Sequence, residues 1–403
     1  MTTAAHTSNS ERHTDVDPYS DRYFADPYPD QERVRELGPA VWLDRYNCWG
    51  LARAEHVEMA LRDHETFCSS RGVGHLDLSK GELFRTQSLV IEADPPDHTR
   101  ARRVLSRVLG PKTVKALKES FRSEAEAIID PLVERGRFDG FADIAEAFPL
   151  KVFPDQLGLP PGDERKKLPL IGALAFNAFG PMNSLMERSL ENADELMKYV
   201  ALNCRRENLR AGSLGAMVHE YAAEEGYSDD DGGMLVRNFL IAGVDTTMNG
   251  IGNALFCLAT HPDQFAALRA DRTLVRSAFE ESIRFESPVQ AFYRTLTRDV
   301  RVEDVTLRKD DKVLLFLAAA NRDPRRWDRP DEYDIQRGPN GHVGFGAGIH
   351  ACVGQMLARL EGESVLGVLA DKVKALTLDG EPVRKFNNTL RGFASLPLRI
   401  EAA

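Results

Sequence analysis

The stretch Met234 to Ala259 does most to limit the architectures open to this chain, because it is longer and more apolar than its other helical segments. Ser228 and the three aspartates Asp229 to Asp231 precede it. A serine hydroxyl can cap the free amides of a helix start, and carboxylates are favoured at that positive end. His261-Pro262 closes the run, since a residue before proline is pushed out of helical geometry. Val114 to Val133 predicts a second helix, with Leu117, Phe121, Ala125, Ile128, Ile129 and Leu132 on one stripe. A third is predicted from about Thr273 to Phe285, stopped by Ser287-Pro288. Strand-like material is confined to Val41–Leu51, Val289–Leu296 and Val300–Leu317, the last broken by a turn at Lys309-Asp310-Asp311. The expected fold class is therefore mainly α with small β-sheets, not an alternating parallel-sheet fold.

No repeat or long linker divides the 403 residues, and the 42% hydrophobic fraction suffices for one large core. Residues 1–15 read as a disordered polar tail and 16–403 as a single domain. The polar start resembles neither a signal peptide nor a spanning helix, so a cytoplasmic protein with no membrane partner is expected. A formal net charge of -10 argues against a nucleic-acid partner. The five cysteines, Cys48, Cys68, Cys204, Cys257 and Cys352, are scattered without a Cys-x-x-Cys pair, which fits a reducing compartment and excludes a zinc ribbon or disulfide scaffold.

Cys352 differs from the other four in its surroundings. It follows Gly344-Phe345-Gly346-Ala347-Gly348-Ile349-His350-Ala351 and precedes a helix-like run with Met356, Leu357, Leu360 and Val365. Glycines at alternate positions let a backbone turn sharply and approach a flat ligand closely. Unpaired amides at a helix start favour thiolate over thiol. A thiolate in such a pocket is a good ligand for haem iron, donating electron density towards a trans-bound dioxygen. Two other readings compete: a small buried hydrophobe, as assigned to the other four cysteines, and a dinucleotide-binding loop, which Gly346-Ala-Gly348-Ile-His-Ala351 loosely matches. The second requires a buried strand just ahead, and Gln336-Arg-Gly-Pro-Asn-Gly341 cannot form one.

Within the apolar helix, Ala242-Gly243-Val244-Asp245-Thr246-Thr247 is locally unfavourable: glycine costs about 1 kcal/mol relative to alanine, and threonine hydroxyls compete for backbone carbonyls. A functional kink would have this appearance, and so would a plain bend with a solvated aspartate.

Phe345-Gly-x-Gly-x-His-x-Cys352-x-Gly354 resembles the haem-binding loop of cytochromes P450 at every fixed position, and Asp245-Thr246 is similar to that family's acid–alcohol pair. The resemblance runs from about Pro18 onward. It implies the P450 fold, haem b as cofactor, and insertion of one atom of dioxygen into a C–H bond. Two electrons would come from an iron–sulfur ferredoxin with its own reductase. By the same resemblance Cys352 is the iron ligand, with Phe345 and Gly346 beside the cofactor. Thr246 would hydrogen-bond the reacting oxygen, and Asp245 would relay protons. Asp94-Pro-Pro-Asp-His98-Thr-Arg-Ala-Arg102 resembles the segment whose His and Arg grip the haem propionates, and Arg294 and His350 match two further contacts. Glu281 and Arg284 would otherwise read as a surface pair worth roughly 0.2–0.5 kcal/mol. In this order they resemble the family's buried Glu-x-x-Arg, with Arg337 as third member.

Other stretches resemble the bacterial branch that oxidises para-substituted benzoates, including O-demethylation of 4-methoxybenzoate: Phe67 to Gly74, Phe176 to Pro181, Phe285 to Gln290 and Phe386 to Gly392. The residues suit such a ligand: Phe176, Phe179 and Phe292 could clamp a planar ring, Arg85 and Ser88 lie in the loop where the family places substrate contacts, and Arg237, within an apolar run, could serve a carboxylate. Arg237 lies eight residues before Asp245 in sequence, or roughly 12 Å along a helix. Asn238 and Ile241 stand where those relatives carry serines, which could redirect the site towards another aromatic acid such as a cinnamate. Three alternatives differ in class: a non-catalytic haem-thiolate sensor, a P450 for a neutral terpene or macrolide, and a peroxide-using relative. A sensor and a peroxide user have no need of Asp245-Thr246, and a neutral substrate has none of Arg85 and Arg237.

Overall fold

In the computed structural model, which describes residues 12–81, 86–338 and 341–403, helices dominate and strands gather in small sheets. The apolar run forms two helices in place of one, Asp229–Ala242 and Asp245–Thr260. The first starts at a reciprocal cap: Ser228 Oγ accepts from Asp231 N–H and Asp231 Oδ2 accepts from Ser228 N–H, each at 3.1 Å. The second is buried on nearly every side, as Met248, Ile251, Leu255 and Leu258 show, so it forms the axis of the main core. Against it pack the helices Val275–Glu286 and Gln355–Lys372 and the strands Val373–Leu378 and Gly392–Ser395.

The break falls at Gly243-Val244. Any Cβ on Gly243 would sit 2.3 Å from Phe153 Cζ, so the close approach of that ring requires glycine. Carbonyls at a helix end lack intrahelical partners, and the threonines supply them. Thr246 Oγ1 donates to Ala242 O at 2.7 Å and Thr247 Oγ1 to Gly243 O at 3.2 Å.

Val114 to Val133 likewise divides, into Pro111–Ala116 and Lys118–Arg135. The six-stranded sheet runs in the order His13–Thr14, Val41–Leu43, Cys48–Leu51, Lys312–Phe316, Ala291–Leu296 and Phe67–Cys68. The tail expected over 1–15 falls mostly outside the described residues; within it, His13 and Thr14 pair with Trp42 and Leu43. Val289 makes only an isolated bridge to Leu390 and does not extend the strand that begins at Ala291. Val373–Leu378 and Pro397–Ala402, which pair with one another, were not predicted, although Leu398-Arg-Ile400-Glu alternates buried and exposed along the second.

Arg284 is 1% and Glu281 2% exposed, joined by two parallel bonds of 2.7 and 2.8 Å. Arg284 also donates to the carbonyls of Asn321, Pro330 and Glu332, and Arg337 Nε reaches Glu281 Oε1 at 3.3 Å. The pair thus ties the Val275–Glu286 helix to the segment leading into the cysteine loop. No helix among the described residues is long and apolar enough to cross a membrane.

Candidate active site

The break in the long helix, the cysteine loop and the strand Ala291–Leu296 enclose one cavity of about 540 Å³. Cys352, Thr246, Arg102, Arg294, His350, Phe345 and Gly346 all line it. Strand alternation turns Phe292 and Arg294 to the cavity and Tyr293 into the core behind.

The cysteine loop closes through Cys352 N–H donating to Phe345 O at 2.8 Å. Gly346 and Gly348 have φ of 69° and 67°, which side-chain-bearing residues rarely adopt, and a Cβ on Gly348 would meet Leu61 O at 2.5 Å. The other four cysteines are buried; Cys352 is only half-buried. Burial pushes its thiol upward, opposed by the Gly354 N–H and then by Arg102, Arg359 and the Gln355 N–H. The helix-start amides expected to favour thiolate are therefore present but outweighed by desolvation. A coordinated metal deprotonates its thiol outright, and that would reverse the balance.

Beside the sulfur stands a group of donors with too few acceptors. His98 and His350 lie with ring centroids 4.4 Å apart, and both ring nitrogens of the buried His98 lack a partner. His350 Nε2 is 3.9 Å from Asp94 Oδ1, beyond hydrogen-bonding reach. Arg102 Nη1 donates to Ala351 O at 2.5 Å, and the buried Arg294 donates to Tyr293 O at 2.8 Å. Burial, then His350 and Arg102, brings the His98 pKa down to about 4, and burial lowers Arg294 to about 10. Four clustered donors, all lowered by burial and the two histidines also by their cationic neighbours, call for an anion. A flat dianionic macrocycle with a thiolate-seeking metal fits them, so the residues present suit haem. His98 itself is not a cavity wall; it stands against His350, which is.

Asp245 and Thr246 face different ways. Thr246 lines the cavity; Asp245 does not, its side chain being buried against Gly172 of the helix Leu168–Asn177. Burial raises the Asp245 pKa, opposed by Lys385, whose Nζ is 3.9 Å from Oδ1, and by Asn249. Lys385 is partly exposed, and its charge also reaches the half-buried Glu146. Ionisable groups therefore lead from the surface to the break.

At the other end Phe176, Phe179 and Phe292 meet edge to face, with centroids 5.8 and 5.7 Å apart, all three on the cavity wall. Ser88, Arg237, Asn238 and Ile241 also line it. Ser88 Oγ donates to Asn238 Oδ1 at 2.6 Å, while Asn238 Nδ2 donates to Met234 O. Arg237 Nη2 reaches Thr86 O at 3.4 Å. Arg85 lies outside the described residues. Sequence reading missed two buried wall residues, Glu92 and Glu361; neither belongs to a motif, and only folding brings them to the cavity.

The Cytochrome P450 family model matches residues 163–402. This chain belongs to the cytochrome P450 family. It is 53% identical over 392 residues to Cytochrome p450 CYP199A2 of Rhodopseudomonas palustris, covering 97% of this chain and 95% of that protein. It is 32% identical to Cytochrome P450 monooxygenase PikC of Streptomyces venezuelae, covering 94% and 92%. The crystal structure of Mycobacterium smegmatis CYP164A2 in its ligand-free state superimposes with a TM-score of 0.84 at 30% identity, covering 94% and 98%. The P450 chain is accordingly a haem-thiolate monooxygenase with haem b as cofactor, using dioxygen and redox partner proteins. The expected fold class holds.

Proposed function

We infer that this P450 oxidises a small aromatic carboxylic acid, a para-substituted benzoate, by O-demethylation or hydroxylation, with electrons from a ferredoxin and its reductase in the cytoplasm. The observation that carries the reading is the pairing, on one cavity wall, of the Phe176–Phe179–Phe292 clamp with the Arg237 guanidinium. Aromatic edges favour a flat ring, and a cation rewards an anionic tail.

In this family haem b supplies reductive cleavage of dioxygen, one atom entering a substrate C–H bond and the other leaving as water. Cys352 would hold the iron, and Arg102, Arg294, His350 and His98 the propionates. Thr246 offers its hydroxyl to the cavity while anchored on Ala242 O, so it can hand on a proton without moving far. Asp245, next in sequence but turned towards Lys385, would resupply that proton from the Glu146 and Lys385 side.

A second reading, a neutral aromatic or terpene substrate, draws on two observations. The Ser88 hydroxyl is spent on Asn238, and the Glu92 carboxylate stands in the same wall, accepting from Ser88 N–H at 3.1 Å. Soret titration of the ferric protein decides between them. 4-Methoxybenzoate is expected to shift the band and its methyl ester to do so more weakly; no shift with any of the benzoate or cinnamate acids would retire the acid reading.

A further inference from the structure

Glu280 is 1% exposed and precedes the Glu281 that pairs with Arg284, but its carboxylate serves other partners. Arg359, in the second turn of the helix Gln355–Lys372, donates through Nε to Glu280 Oε1 and through Nη1 to Gln355 Oε1 at 2.8 Å. His342 Nε2 lies 2.6 Å from Glu280 Oε2, and His342 Nδ1 accepts the Gly344 N–H at 3.1 Å. Those two contacts together require the tautomer with its proton on Nε2, so His342 joins Glu280 to the cysteine loop as a neutral ring. Burial would raise the Glu280 pKa, but His342 and then Arg359 outweigh it and hold the carboxyl below its usual range. One buried anion thus meets one cation.

Arg359 carries this charge pair to the cysteine loop. Its guanidinium carbon stands 4.6 Å from the centroid of the Phe345 ring, close enough for a cation to be drawn to the ring face. Phe345 lines the cavity, and its carbonyl accepts the Cys352 N–H. Arg359 is also one of two arginines whose charge draws the Cys352 thiol towards thiolate, the other being Arg102. What offsets the two cations differs. Arg102 belongs to the donors that suit the propionates, which would cancel its charge, whereas Arg359 has its anion in Glu280. Charges act on one another more strongly in a buried, weakly polar site than in water, so any imbalance between Glu280 and Arg359 reaches the sulfur.

We propose that Glu280 is a positioning residue for electron uptake: by holding and neutralising Arg359 against the Phe345 ring, it sets the field at Cys352 and, through that sulfur, the ferric-to-ferrous equilibrium of the haem iron. Positive charge added near the thiolate favours the state with the extra electron, and negative charge disfavours it. One electron from the redox partner converts ferric to ferrous iron in this step. No bond at Glu280 or Arg359 forms or breaks, and no proton moves. The inference rests on the haem-thiolate chemistry of the family and not on the aromatic-acid reading.

The test measures the midpoint potential of the substrate-free holoenzyme by spectroelectrochemical titration, with the reduced carbon-monoxide spectrum as a check that the thiolate is retained. Glu280→Gln keeps the side-chain shape and leaves Arg359 without its counter-charge. Its potential should rise by about tenfold in the ferrous-to-ferric ratio, or about 59 mV for one electron. Arg359→Met leaves Glu280 without its cation and should lower the potential by a similar factor. The double variant, with both charges gone, and Arg359→Lys, with the cation kept, should both stay close to the unaltered protein. A purely structural brace would behave otherwise: both single variants would shift the same way, and the double variant would shift furthest. That pattern overturns the proposal, as do unchanged potentials in both single variants or failure of both to take up haem. If only one of them takes up haem, the sign of its shift decides. Because no organic substrate is used, the result does not depend on whether benzoates bind.

Discussion

Thr246 and Ala242 are joined across the broken helix by a hydroxyl-to-carbonyl bond of 2.7 Å, so the one threonine both mends the backbone and presents its oxygen to the cavity. The two tasks separate on mutation. Thr246→Ala loses a single hydrogen bond, about 1 kcal/mol of stability, and should still bind haem and consume reductant. Product should fall and hydrogen peroxide rise in its place. Fully coupled turnover in this variant, measured as product per reductant, would remove Thr246 from the proton path.

Gly243→Ala puts a methyl group where Phe153 already stands, 2.3 Å from its Cζ. Overpacking of this kind costs about 1–3 kcal/mol. Thermal unfolding of Gly243→Ala and of Gly243→Ala with Phe153→Leu should show non-additive losses, the double variant recovering part of the deficit.

The Glu281–Arg284 pair is expected to behave as a buried ion pair with one indispensable partner. Arg284→Ala strands a carboxylate that is 2% exposed, and breaking such a pair costs roughly 3–5 kcal/mol. Low haem content in the soluble fraction and a depressed melting temperature are the readouts. Wild-type haem loading in Arg284→Ala would show the network to be dispensable.

Acid should destabilise the haem-free protein through His98. Its folded pKa is lowered from 6.5 to about 4, so between those values the unfolded chain binds more protons than the folded one. Stability therefore falls as pH drops from about 6.5 towards about 4. His98→Gln should flatten the dependence of the melting temperature on pH across that window, and an unchanged slope would contradict the assignment.

Arg237→Leu removes the cation from the far end of the cavity. If the substrate is an acid, a charge-assisted bond of about 1.5–3 kcal/mol is lost, or roughly 10- to 150-fold in affinity. The dissociation constant of 4-methoxybenzoate should rise by that factor while the methyl ester is little affected. Equal weakening of both ligands would point to packing as the role of Arg237.

The cysteine loop was legible in the residues because glycines at 346 and 348 answer to local backbone geometry, with φ of 69° and 67°. Local rules also placed the Ser228 cap and the anomaly at Gly243, since capping and helix propensity act within a few residues. Tertiary structure decided the rest. It broke the long helix in two, since Phe153 arrives from far away in the chain to occupy the space over Gly243. It turned Asp245 away from the cavity and towards Lys385, and joined the Ser88 hydroxyl to Asn238. It also buried Glu361 in the cavity wall with no partner for its Oε2. Spacing along one helix says which residues share a face; whether that face meets a cation, a cavity or a ring depends on side chains delivered by other elements, and their approach is set by packing of the whole core.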